Sequence, residues 1–325
     1  MDQASSSDNP DSSNNNSDKN NGQIMTSFNN LAPNEVASSW HVFCIFSWII
    51  FTSTLFLVLF GVGMTFEQGT QLLIKQPLII IYLLILNISG LAITIKKTIY
   101  EKDQGFMNTF FGEQIKQQSI GFLSGAGCML TFRVMLDYLL ELMKGKYFKD
   151  NDTYLYTLLG LITGFSILGF LCLLYSYSKI NQLAEWYEII IIKKGVLSSV
   201  IGYLFYFMCV SSLAIGVSKS KESTQERWLL SFLIIIPIIN IIFAFSQKDL
   251  GIAITNLIIY IFISSSFFYY GGQYDYDVDY YNDYYYSKYK DPFRAEEIIS
   301  LCVVVITFIL ILYLIFSTRD KIIKA

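Results

Sequence analysis

Three charged residues recur at four-residue intervals inside an apolar run: Arg133, Asp137 and Glu141, in CMLTFRVMLDYLLEL at 128–142. Residues four apart advance about 400° around a helix, so the three share one face. In a membrane-spanning helix at about 119–143, Arg133 stands within about 3 Å of the midpoint at ~1.5 Å rise per residue. Asp137 is then roughly 9 Å and Glu141 roughly 15 Å from the middle. An arginine at the bilayer centre costs about 2.5–3.5 kcal/mol on the gentlest insertion scale, and Asp137 offsets part of that by pairing at i,i+4. Three readings compete: a solute or ion pathway, a structural ion pair that fixes helix register, or charges that sit at a membrane edge.

Other residue types with chemical potential are sparse. Asp275, Asp277 and Asp279 alternate in the tyrosine-rich stretch GGQYDYDVDYYNDYYYSKYKDPF. Their spacing matches the opening of a calcium-binding loop, but position six is Tyr280 rather than glycine and position twelve is Tyr286 rather than glutamate. A weak cation site or a partner-binding loop is one reading; a solvated loop whose tyrosines rest at the membrane interface is the other. His41 is the only histidine, so no histidine metal cluster and no Ser-His-Asp triad can be assembled. The five cysteines lie in apolar runs without CxxC spacing and read as small packing residues. No catalytic residue, resident metal or cofactor is expected, and nothing points to an enzyme.

The elements that must position these residues are helices. Eight apolar runs, at about 41–63, 77–96, 119–143, 154–177, 195–217, 228–246, 251–270 and 297–317, each approach the ~20 residues that cross a bilayer. The expected fold is therefore all-α: a polytopic bundle of about eight membrane helices, or seven if the sixth and seventh runs form one re-entrant unit. Those two are joined only by SQKDL, and the sixth carries Pro237, which removes a backbone donor.

Gly121 and Gly125 in the third run, and Gly160 and Gly164 in the fourth, have the GxxxG spacing that lets helix backbones approach closely. Asn87, Asn240 and Asn256 are the polar residues expected to bond across helices. Two segments between runs, GFMNTFFGEQIKQQ and KINQLAEWYEIIIIKKG, fit either amphipathic surface helices or extensions of the spans.

Composition agrees with lipid as the solvent: of 325 residues, 53% are hydrophobic and only 15% charged, against about 25% charged in soluble domains. A net charge of −3 excludes the basic field that nucleic-acid binding demands. The expected partners are the bilayer and other membrane subunits.

Three regions follow. Residues 1–38 form a Ser/Asn/Asp-rich tail expected to be disordered, 39–318 the membrane domain, and 319–325 a short basic end. The tail lacks the pattern of a signal peptide, so the first run is expected to act as a signal-anchor. Basic residues outside the spans favour the terminus-bearing side by two, which votes for cytoplasmic termini in a plasma membrane or endomembrane. The functional expectation is a transporter, channel-like or lipid-moving protein with the Arg133 face lining its pathway. The alternative is a non-catalytic scaffold or accessory subunit.

Overall fold

The computed structural model describes residues 33–64, 76–143, 152–180, 182–217, 222–261, 263–264 and 294–322. Asp275, Asp277 and Asp279, and residues 1–32 of the expected tail, lie outside the described residues. The chain divides into two units, Met1–Val42 and Phe43–Ala325. In the first, the described part is the opening of helix α1 (Pro33–Met64). The helix thus starts six residues before the expected border of the tail. Proline suits a helix's first turn, because its missing N–H would have no partner there.

In the second unit every regular element is helical among the described residues. α2 (Gln76–Ile95) continues as a π-helical stretch, Lys96–Tyr100. A short α3 (Gln104–Phe106) runs into a π-helical turn, Met107–Phe111. α4 (Ile115–Met143) and α5 (Asp152–Lys179) follow. α6 begins at Trp186–Glu188, passes through nine π-helical residues, Ile189–Leu197, and ends with Ser198–Val217. α7 (Glu222–Gln247) and α8 (Leu250–Ile261) form a hairpin, and α9 (Arg294–Ile322) closes the chain. The basic end expected at 319 is helical as far as Ile322.

Among the described residues, six helices are long and apolar enough to cross a membrane: Ser39–Phe60, Ile79–Tyr100, Ile115–Tyr138, Thr153–Lys179, Trp186–Gly216 and Ile298–Ser317. The protein is thus an all-α, multi-pass integral membrane bundle, with six full spans among the described residues against the eight expected. The two exceptions, Ile234–Gln247 and Leu250–Ile261, are the described apolar parts of the hairpin pair that the sequence sets apart.

The bundle core is α4 on α5 and α5 on α6. Gly121 permits the first contact, since a Cβ there would stand 2.6 Å from Leu173 on α5. Gly125 instead meets Phe51 of α1, where a Cβ would come within 3.0 Å. Gly160 and Gly164 differ: a Cβ at either would meet nothing within 4 Å, so these two glycines face outward. On α5 the close approach falls to Gly169, against Leu204.

The polar residues inside spans bond across helices. Trp48 Nε1 of α1 donates to Asn87 Oδ1 of α2 at 2.7 Å. Asn240 donates to Asn256, and Asn256 to Thr307, linking α7, α8 and α9. The short α3 does not lie on the surface. Phe106, Phe110 and Phe111 are buried, with Phe110 against Trp48, which stacks on Phe122 at 4.9 Å. Burying three aromatic rings outweighs resting one edge in the headgroups. In the second ambiguous segment the span is extended instead, since Trp186 opens α6.

Candidate functional site

Antiparallel connections bring the ends of α2, α5 and α7 and the starts of α4, α6 and α8 to one end of the bundle. Charged residues flanking these spans gather there, and three of them, Lys97, Glu188 and Asp249, are buried.

Lys97, on the π-helical end of α2, is its first centre. Its Nζ stands 3.2 Å from Glu188 Oε1, 3.3 Å from Asp103 Oδ2 and 3.4 Å from Glu101 Oε2. Glu188 is fully buried. Its other oxygen accepts from the Glu185 amide and closes the first turn of α6. Its contact with Lys97 is a charge contact outside hydrogen-bond geometry. Asp103 caps α3 by accepting from the Phe106 amide at 3.1 Å. That bond, helped by Lys97, holds its carboxyl below the usual value.

Asp249 is the second centre. It lies at the tip of the α7–α8 hairpin and is fully buried. Tyr177 of α5 donates to its Oδ2 at 2.5 Å, and the Ile252 amide donates to Oδ1 at 3.2 Å, which caps α8. Burial pushes this carboxyl up, against the opposing pull of the Tyr177 and Ile252 bonds. Lys193 donates to the Ile180 carbonyl and lies over the Tyr177 ring. Lys194 donates to the Lys248 carbonyl at 3.0 Å. The tip fits because position 251 is glycine: a Cβ there would stand 2.0 Å from the Lys194 carbonyl oxygen.

Glu188 immediately precedes the π-helical part of α6, and Lys193 and Lys194 within that part stand at the Asp249 centre. A π-helical turn inserts an extra residue and leaves backbone groups re-aimed, which is why such turns collect at functional sites. Beside the layer, a cleft of about 410 Å³ opens between the start of α4 and the end of α5, lined by polar residues that include Glu113, Gln114 and Lys179.

The Arg133 face lies towards the other end. Arg133 Nη1 meets Asp137 Oδ1 at 2.5 Å, with side-chain exposures of 22% and 49%. Glu141 continues α4, and its side chain lies outside the described residues. Because the span starts at Ile115 rather than 119, Arg133 stands about 27 Å along it and Asp137 about 33 Å. The hydrocarbon is ~30 Å thick. Along the helix the pair thus lies in the C-terminal part of the described span. The added turn is Ile-Lys-Gln-Gln, in which Gln118 is buried and donates to the Phe110 carbonyl, as Ser119 does to the Ile115 carbonyl.

Sequence reasoning missed Lys97, Glu188, Tyr177 and Asp249, because charges flanking apolar runs ordinarily read as headgroup anchors. One signal was present: in SQKDLGI, an aspartate directly before an apolar helical run is an N-cap pattern. Among the described residues no group of three His, Cys, Asp or Glu side chains could hold a metal ion. No family model, no curated protein and no solved structure matches the chain.

Proposed function

We propose that this membrane protein is a transporter, channel-like or lipid-moving protein. Its pathway would run between the Arg133–Asp137–Glu141 face at one membrane edge and the charged layer at the other. One observation carries this reading: Glu188 and Asp249, two carboxylates, are fully buried beside the π-helical stretch of α6. Glu188 lies in the first turn of a span and Asp249 at a hairpin tip, and ionisable groups withdrawn from water in a membrane protein are candidates for pathways and relays. The half-exposed Asp137 supports an aqueous mouth, because an ion pair is disfavoured against lipid. The termini are proposed to face the cytoplasm, in a plasma membrane or endomembrane.

A scaffold or accessory subunit is the second reading, and Gly160 and Gly164 favour it. Their open face on α5 suits a helix of another subunit.

The test is flux in reconstituted vesicles, with a fluorescent phospholipid quenched from outside for lipid movement and a panel of labelled solutes for transport. Asp137→Asn and Asp249→Asn should each abolish the flux of one probe while the protein stays folded and inserted. If no probe moves, and gentle purification yields a stoichiometric partner, the scaffold reading replaces the first.

A further inference from the structure

The cleft between the start of α4 and the end of α5 has a placement and a chemistry that together specify a ligand class. Gln114 immediately precedes the span Ile115–Tyr138, and Lys179 is the last residue of the span Thr153–Lys179. The opening thus adjoins the ends of two apolar spans, where headgroups would meet it. Its volume, about 410 Å³, falls in the range of small-molecule sites.

The lining is polar and carries one charge of each sign, Lys179 and Glu113, with the amides of Asn108, Gln114 and Gln182. Neither Lys179 nor Glu113 makes an ion pair among the described residues. Lys97, a short way along the chain, is surrounded by carboxylates; the charges of the cleft are free to meet a ligand. Lys179 is steadied over the Tyr175 ring, 5.5 Å from its centre. Gln114 is held with equal firmness: its amide nitrogen donates to the Thr109 and Phe110 carbonyls. Its carbonyl oxygen is thereby turned towards Gly112 on the cleft wall.

We propose that this cleft binds the phosphoethanolamine headgroup of a membrane phospholipid, with Lys179 on the phosphate and Glu113 with the Gln114 carbonyl on the ammonium. An ammonium has three N–H donors for those acceptors, and a trimethylammonium has none. A phosphate requires the cation, and Lys179 supplies it as a point charge. The place beside two span ends selects the lipid over the free phosphoethanolamine of the same chemistry. The inference goes beyond the pathway proposal and stands whether or not the protein transports.

Calorimetric titration of the full chain in detergent with dihexanoylphosphatidylethanolamine tests it. Saturable binding at one site per chain is expected, with the phosphatidylcholine and phosphatidylglycerol of the same chain length weaker by about tenfold or more. Lys179→Gln and Glu113→Gln should each weaken binding by about tenfold with the unfolding temperature unchanged, and Lys179→Arg should retain it. Equal affinity for the ethanolamine and choline lipids overturns the proposal, whatever the variants do. Free phosphoethanolamine binding as tightly as the lipid overturns the lipid as the source.

Discussion

Lys97 and Glu188 depend on each other unequally. Lys97 has Asp103 and Glu101 in reserve, whereas the fully buried Glu188 has Lys97 as its cation. Lys97→Met should therefore destabilise the protein by about 3–5 kcal/mol, the cost of leaving a buried charge unpaired. Glu188→Gln should cost only about 1–2 kcal/mol, and denaturant unfolding in detergent measures both. Asp249 gives a pH signature of its own. Its folded-state carboxyl is raised above the ordinary 3.8 by burial, so the folded form holds the proton longer. Its contribution is greatest below that value and is lost as pH rises through the folded value. Asp103 runs the other way: its carboxyl is lowered from 3.8, and its contribution, present above that value, fades as pH falls. Asp249→Asn keeps one acceptor oxygen, for the Ile252 amide, and sets its NH2 against the Tyr177 hydroxyl, which can accept. It should flatten the decline in unfolding temperature above pH about 4; an unchanged decline would assign it to other groups.

At the scale of elements, the α7–α8 hairpin is held by its tip. Gly251→Ala would drive a methyl group into the Lys194 carbonyl and the Ser198 hydroxyl, at 2.0 and 2.2 Å. Overpacking against backbone should cost about 1–3 kcal/mol and loosen the hairpin, read as faster hydrogen exchange of α8 amides. Gly160→Ala, facing open space, should be stabilising by about 0.5–1 kcal/mol through helix propensity. A loss of stability or of a partner there would mean that another helix covers this face. The sequence made the hairpin legible, because SQKDL is too short for anything else, and its asparagines marked cross-helix bonds. It could not assign the glycines: Gly121 and Gly160 sit in the same GxxxG spacing, yet one meets Leu173 and the other meets nothing. Spacing defines a helix face, but not which way that face turns.

For the whole molecule, the hairpin tip bonds to Tyr177 at the end of α5 and is packed on Lys194 near the start of α6. The tip thus stands at the same end of the bundle as Lys97. With the six full spans among the described residues, this connectivity supports the proposed placement of both termini on one side, so tags on the two ends should be protected or exposed together in intact cells. One exposed and one protected end would break the topology. The sequence alone determined the solvent and the fold class, because runs of ~20 apolar residues leave the backbone only helices to satisfy it in lipid. It also located Arg133 and Asp137 on one helix face, since that depends only on the helical period. Only the tertiary structure gathered scattered flanking charges into two centres, around Lys97 with Glu188 and around Asp249. Those contacts join residues as far apart as 97 with 188 and 177 with 249; helix packing brings them together, and no local pattern encodes it.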